Sequence, residues 1–143
     1  MGTRGLFGYI IDSRRRAIYH PHDAYPDGLG YDVVSFILKV KPKNYALWIE
    51  GLRKVTWSRN QTSGNPEAWY LIEGIQKGRE NLKAEDSVSF LRDRLFCEWA
   101  YFIDFQNQKM EVWSAGRILA ELTFDEIIAE GKAIMDKFSE VEN

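Results

Sequence analysis

Between Cys97 and Phe105, in "CEWAYFIDF", the period of the sequence is two. Cys97, Trp99, Tyr101, Ile103 and Phe105 fall on one face of an extended chain, and Glu98, Ala100, Phe102 and Asp104 on the other. No helix collects residues two apart on one side, so this stretch commits its part of the chain to a sheet. Gln106-Asn107-Gln108 then reads as a turn, "KMEVW" as the returning strand, and "RILAEL" after Gly116 as a further short strand.

A sheet needs further strands, and the beginning of the chain supplies them. "TRGLFGYII" is β-branched and aromatic, Asp12-Ser13-Arg14-Arg15 has turn chemistry, and "RAIYH" returns, which predicts an N-terminal hairpin. Gly5 and Gly8 leave gaps where another backbone or side chain can come close. Between the hairpins the period is helical. "YDVVSFILKV" reads as a short helix between Asp32 and Pro42, and Tyr45, Trp48, Ile49 and Leu52 form one face of a second. Thr56 to Pro66 reads as loop. Pro66 suits the first turn of a third helix whose face carries Trp69, Ile72 and Ile75 or Gln76, and Lys77 to Asp86 is charged and expected to be exposed.

At the end of the chain, Thr123 with Glu126 makes a capping box, followed by Phe124, Ile127, Ile128, Met135 and Phe138 at helical spacing. Strands come in adjacent pairs instead of alternating singly with helices. That order predicts an α+β fold: a mainly antiparallel sheet from an N-terminal and a C-terminal hairpin, with helices packed on one face. With 143 residues and no repeat or linker, positions 1–143 read as a single domain.

Charge and composition narrow the function classes. A net charge of −2 and a pI near 5.7 oppose a nucleic-acid binder working by phosphate neutralisation. The basic run Arg14-Arg15-Arg16 falls at the expected hairpin tip and reads first as a solvated turn, second as a contact for phosphate or an acidic partner. One cysteine, Cys97, excludes an internal disulfide, fits a reducing, cytoplasmic compartment, and reads as a buried thiol. No apolar run approaches the length of a membrane span. The aromatic share of 14% serves the core first and leaves room for a homodimer face.

The chemistry concentrates in Tyr19 to Gly30, "YHPHDAYPDGLG", which holds both histidines of the chain. Pro21 and Pro26 end regular pairing and bias their predecessors to extended backbone, while Gly28 and Gly30 can take positive φ. The chain must leave the strand after His20, bend near Pro26 to Gly28 and enter a helix after Gly30. Such a loop holds its side chains in fixed positions. His20 and His22 with Asp23 or Asp27 could begin a metal site, but a complete ligand set needs more than the sequence supplies, so neither metal nor cofactor is assigned. His22 beside Asp23, or His20 approached by Glu98 or Asp104, could give an oriented imidazole for acid–base chemistry. No nucleophile motif accompanies it, and Thr3 as an N-terminal nucleophile would require a freed amine. A third reading is recognition without catalysis, in which fixed His, Tyr and Asp side chains, backed by Arg4 and the Arg14–Arg16 run, bind an anion, a nucleotide or a protein surface. Beside these stands a purely structural reading, with Tyr19, Tyr25 and Leu29 packed inward and Asp23 or Asp27 capping the turn.

"MGTRG", "HPHDAYPDGLG" and "CEWAYFIDFQNQKMEVW" together resemble an uncharacterised group of small phage, bacterial and fungal proteins. The group's pattern is Met-Gly/Cys-Thr-Arg-Gly, then His-x-Asp-Ser/Ala-Tyr-Pro-x-Gly-Leu-Gly, then a Glu-Trp/Tyr-x-Tyr-x-Ile-Asp strand. It is met here by Thr3, Arg4, Gly5, His22, Asp23, Tyr25, Pro26, Gly28, Leu29, Gly30, Glu98, Trp99, Tyr101, Ile103 and Asp104. The resemblance covers the two ends of the chain and leaves Lys39 to Asp93 unclaimed. It implies a shared fold and a shared polar surface, with no activity attached, and it suggests a phage-type inhibitor of a bacterial defence system.

The expectation is a recognition protein that binds a protein partner or a small anionic ligand through the His20–Gly30 loop. Arg4, His20, His22, Asp23, Tyr25 and Asp27 gather at one rim with Glu98 or Asp104 nearby. The rival is a hydrolase using His22 and Asp23, with or without a bound metal.

Overall fold

The computed structural model describes residues 3–58 and 68–140. The N-terminal hairpin forms as expected, with β1 at Gly5–Ile11 and β2 at Arg14–His20. Its two-residue turn has φ of 53° at Asp12 and 65° at Ser13, the double left-handed geometry that matches the twist of a tight hairpin. Helices α1 (Tyr31–Lys39) and α2 (Tyr45–Lys54) follow. Then come β3 (Thr56–Ser58), α3 (Ala68–Gln76) and β4 (Lys83–Glu85). The second half contains β5 (Trp99–Asp104), β6 (Lys109–Ser114), β7 (Arg117–Thr123) and α4 (Phe124–Glu130).

Five of the strands form one sheet in the order β2-β1-β5-β6-β7, and β3 and β4 form a separate pair, so the fold is α+β with a mostly antiparallel main sheet. The two hairpins meet through a parallel pair, β1 beside β5, where an antiparallel junction was expected. These two central strands are buried along nearly their whole length, which is why both read as almost continuous apolar runs, "GLFGYII" and "WAYFID". The front face carries Phe7, Tyr9, Ile18, Trp99, Tyr101 and Ile103 under the helices, in the main core. The back face carries Leu6, Ile10, Ala17, Ala100 and Phe102, covered by the 3-10 turn Val88–Arg92 through Val88, Phe90 and Leu91. Cys97 belongs to this back layer, not to the Trp99 face, because it precedes the strand and its alternation.

The arginine run is not a solvated turn. It opens β2, and Arg15 and Arg16 point to opposite faces toward buried carboxylates. Arg15 makes a bidentate pair with Glu111 at 2.8 and 2.7 Å, and Trp113 Nε1 donates to the same carboxylate at 2.9 Å. Arg16 donates to Asp86 at 3.0 Å. Asp86 was expected to be exposed with its charged neighbours. It is buried because it closes the sheet edge, accepting from Ala17 N at 3.1 Å while Ser87 N donates to Ala17 O at 2.7 Å. Leu82 and Ala84 of the same charged segment are buried as well.

Two further expectations change. Thr56–Ser58, read as loop, pairs in parallel with Lys83–Glu85, while the rest of that loop and Pro66 lie outside the described residues. The final helix is capped by Thr123 and Glu126 as expected, but it ends at Glu130. Gly131, at φ 66°, turns the chain into the 3-10 segment Gly131–Glu140. Ile134, Met135 and Phe138 still reach the core from there. Among the described residues no helix is long and apolar enough to cross a membrane.

Candidate functional site

His20 ends β2 opposite Gly5 of β1, and the chain then crosses to α1. Main-chain hydrogen bonds hold this crossover. Ala24 N donates to Thr3 O at 3.0 Å, and Leu29 N donates to Asp23 O at 2.9 Å. Gly28 N and Gly30 N both donate to Tyr25 O, at 2.9 and 3.1 Å, closing a single π-turn over Pro26–Gly30. From the core, Tyr101 Oη donates to Ala24 O at 2.8 Å. The left-handed residue is Asp23, at φ 53°, which an aspartate tolerates better than most side chains. Gly28 and Gly30 do not take positive φ as expected. They are needed for space: a Cβ on Gly28 would lie 2.5 Å from Asp23 O, and one on Gly30 2.9 Å from Met135 Cε.

The crossover walls a cleft of about 440 Å³. His20, His22, Asp23 and Asp27 line it from the loop, Asp32 and Ser35 from α1, Trp69 from α3, and Lys132 from the segment after α4. His22, Asp23 and Asp27 are exposed and make no side-chain hydrogen bond among the described residues, whereas His20 is half-buried. Burial pushes the His20 imidazole below its ordinary pKa, against the pull of Asp32 and a hydrogen bond to the His22 main chain. Lys132 Nζ sits 5.4 Å from the centre of the Tyr31 ring, whose hydroxyl donates to Asp136. Among the described residues, Asp23, Asp27 and Asp32 therefore bring three carboxylates to a wall with one ammonium.

Tyr19, Pro21 and His22 also border a second hollow, of about 580 Å³, on the other side of the loop, with Arg4, Leu95, Phe96 and Glu98. Arg4 and Glu98 are neighbours because the parallel strands begin together, with Glu98 N donating to Arg4 O at 3.0 Å.

Of the residues singled out in sequence, His20, His22, Asp23 and Asp27 meet in the cleft, and Arg4, His22 and Glu98 in the adjoining hollow. Tyr25 is half-buried and contributes its carbonyl to the π-turn. Asp104 is a correction. It is 1% exposed at the opposite end of β5, where its carboxylate accepts from Asn107 N at 3.0 Å and Asn107 Nδ2 at 2.8 Å. The Arg14–Arg16 run lies at the far end of the hairpin from His20 and cannot back the loop. Neither nucleophile considered in sequence reaches the cleft. Thr3 is buried, and the Cys97 thiol is pushed up to about 12 by burial and by Asp93 and Glu98. Trp69, Asp32 and Lys132 escaped the sequence reading because their contribution comes from elements that only the fold brings to the loop. Trp69 had been placed on a buried helix face, yet it remains 37% exposed.

Among the described residues no three His, Cys, Asp or Glu side chains are grouped closely enough to hold a metal ion. Comparison with known proteins identifies no relative: no family model, no curated protein and no solved structure matches the chain.

Proposed function

We propose that this chain is a non-catalytic recognition protein, and that its strand-to-helix crossover, His20 to Gly30, is the centre of a surface that binds a protein partner. One observation supports the reading above others. The crossover's main chain is tied to Thr3 and Tyr101 at Ala24 and closed on itself at Asp23 and Tyr25, while the His22 imidazole and the Asp23 and Asp27 carboxylates are exposed and without a hydrogen bond among the described residues. A surface held in this way loses little conformational freedom on binding, so its contacts translate into affinity. Three carboxylates facing one ammonium disfavour a small anion in the cleft, which leaves a protein as the better-supported partner. The resemblance to small phage proteins supports a setting in which the partner is a bacterial defence protein.

The test uses a double variant, His22→Ala with Asp23→Asn, the asparagine chosen because it accepts the left-handed backbone at that position. The variant keeps its melting temperature and loses the protein that the wild-type chain captures from a bacterial lysate. Capture at the wild-type level by the folded variant overturns the reading. So does stoichiometric zinc or another transition metal in the purified protein, which favours the hydrolase.

A further inference from the structure

The hollow beside Arg4 has a composition unlike that of the cleft. Leu95 is 74% exposed, Phe96 49% and Tyr19 36%, three large apolar side chains bordering one depression. Their exposure is built into the local chain. The Asp93 carboxylate accepts from Leu95 N at 3.1 Å and from Phe96 N at 3.0 Å, and the Asp93 carbonyl accepts from Cys97 N at 3.0 Å. This turn buries Cys97 and leaves Leu95 and Phe96 at the surface immediately before it. Tyr19 is supported from behind by Phe90, whose ring meets it edge-on at 5.3 Å. Apolar groups held outward on a bonded turn mark a contact surface.

A single guanidinium, that of Arg4, borders these groups among the described lining residues. The Arg4 guanidinium lies 5.4 Å from the centre of the Phe96 ring and has no ion-pair partner among the described residues. Arg92 and Arg94 flank Asp93 outside the hollow's lining, and the Asp93 carboxylate is engaged by the main chain of the turn. Among the described residues Glu98 is the one carboxylate lining the hollow, which His22 also borders. A guanidinium stacked on a ring has given up part of its hydration and keeps its N–H fork for a planar carboxylate.

We infer that this face takes up an extended segment of a protein partner in which a large apolar side chain is flanked by Asp or Glu. The apolar group packs on Leu95 and Phe96, and the carboxylate bonds to Arg4. Arginine and tyrosine beside exposed apolar groups are the composition of interface hot spots. A nucleic-acid backbone would use the arginines and leave the apolar groups in water. The inference rests on the proposed recognition role and names the partner's chemistry.

A display library of random linear peptides, selected on the full chain, tests it. Selected peptides carry an acidic residue close to a large apolar one, and Arg4→Ala or Phe96→Ala weakens their binding about tenfold or more. Both side chains are exposed, so melting temperatures stay at the wild-type value, and Leu95→Ala supplies a third folded variant. Selected peptides without acidic residues, or peptides indifferent to both substitutions, overturn the inference. Peptides that require His22 and Asp23 but ignore Arg4 and Phe96 overturn it while leaving the recognition role intact. No selection at all removes this inference, and the lysate experiment then decides the role independently.

Discussion

Tyr101, in the middle of the central strand β5, donates a 2.8 Å hydrogen bond to the carbonyl of Ala24 in the crossover, and both residues are buried. The most interior strand of the sheet is thereby coupled to the loop that presents His22 and Asp23. Tyr101→Phe removes the donor, keeps the ring, and strands a buried carbonyl. The expected cost is about 1–3 kcal/mol of stability, read from urea denaturation. Because Ala24 also closes onto Thr3, amide exchange should rise first at Ala24 and Leu29, whose N–H groups are bonded only while the crossover is in place. Uniform exchange across the sheet would show that the bond does not hold the loop in particular.

Gly5 stands where β1, β5 and the crossover converge. A Cβ there would lie 2.2 Å from Trp99 O and 2.7 Å from Ala24 Cβ, contacts that a side-chain rotation cannot relieve. Gly5→Ala should therefore cost at least about 1–3 kcal/mol, since both neighbours are main chain or its first carbon. Thermal unfolding measures this, and a melting temperature equal to the wild type's would contradict the close approach of the two strands.

The Arg15–Glu111 pair crosses the back of the sheet, with Trp113 Nε1 bonded to the same carboxylate. Burial alone would raise the Glu111 pKa, but the bonds from Arg15 and Trp113 outweigh it and hold the value below the ordinary 4.5. A carboxyl whose pKa is depressed by folding adds stability above its unfolded pKa. That contribution is lost as the pH falls from about 4.5 through the lower folded value. Arg15→Met leaves a buried carboxylate unpaired and should cost about 3–5 kcal/mol at neutral pH. The deficit relative to wild type should shrink as the pH drops below the carboxylate range, which a pair of pH–stability curves would detect. A deficit independent of pH would assign the loss to packing of the Arg15 guanidinium over the Trp113 ring, 5.3 Å from its centre.

Tyr9 offers the opposite expectation. Its hydroxyl is buried with no hydrogen-bond partner among the described residues, and burial raises its pKa. Tyr9→Phe removes an unsatisfied polar group and keeps the ring stacked near Phe7 at 5.5 Å between centres. Stability should stay level or rise by up to about 1–3 kcal/mol, the cost of leaving such a group unpaired. A clear loss in denaturant would mean that the hydroxyl is satisfied in solution.

What the amino-acid sequence by itself determined were features set over a few residues. The period of two in β5, the Asp12-Ser13 turn, the Thr123–Glu126 cap and the apolar faces of α1 and α2 all depend on neighbours within a turn or on one strand's pleat. The crossover was legible for the same reason, since Pro21, Pro26 and Gly28 constrain their own backbone. Only the tertiary structure decided how these pieces meet. Pairing β1 with β5 in parallel set Glu98, just before the strand, beside Arg4 and sent Asp104 to the opposite end, although the period of two places both on one face. It also brought Asp32, Trp69 and Lys132 to the loop and joined Arg15 to Glu111 across 96 positions. Each of these outcomes depends on which strands find one another and in which direction. That choice is made by burying the whole core at once, and no short stretch of sequence records it.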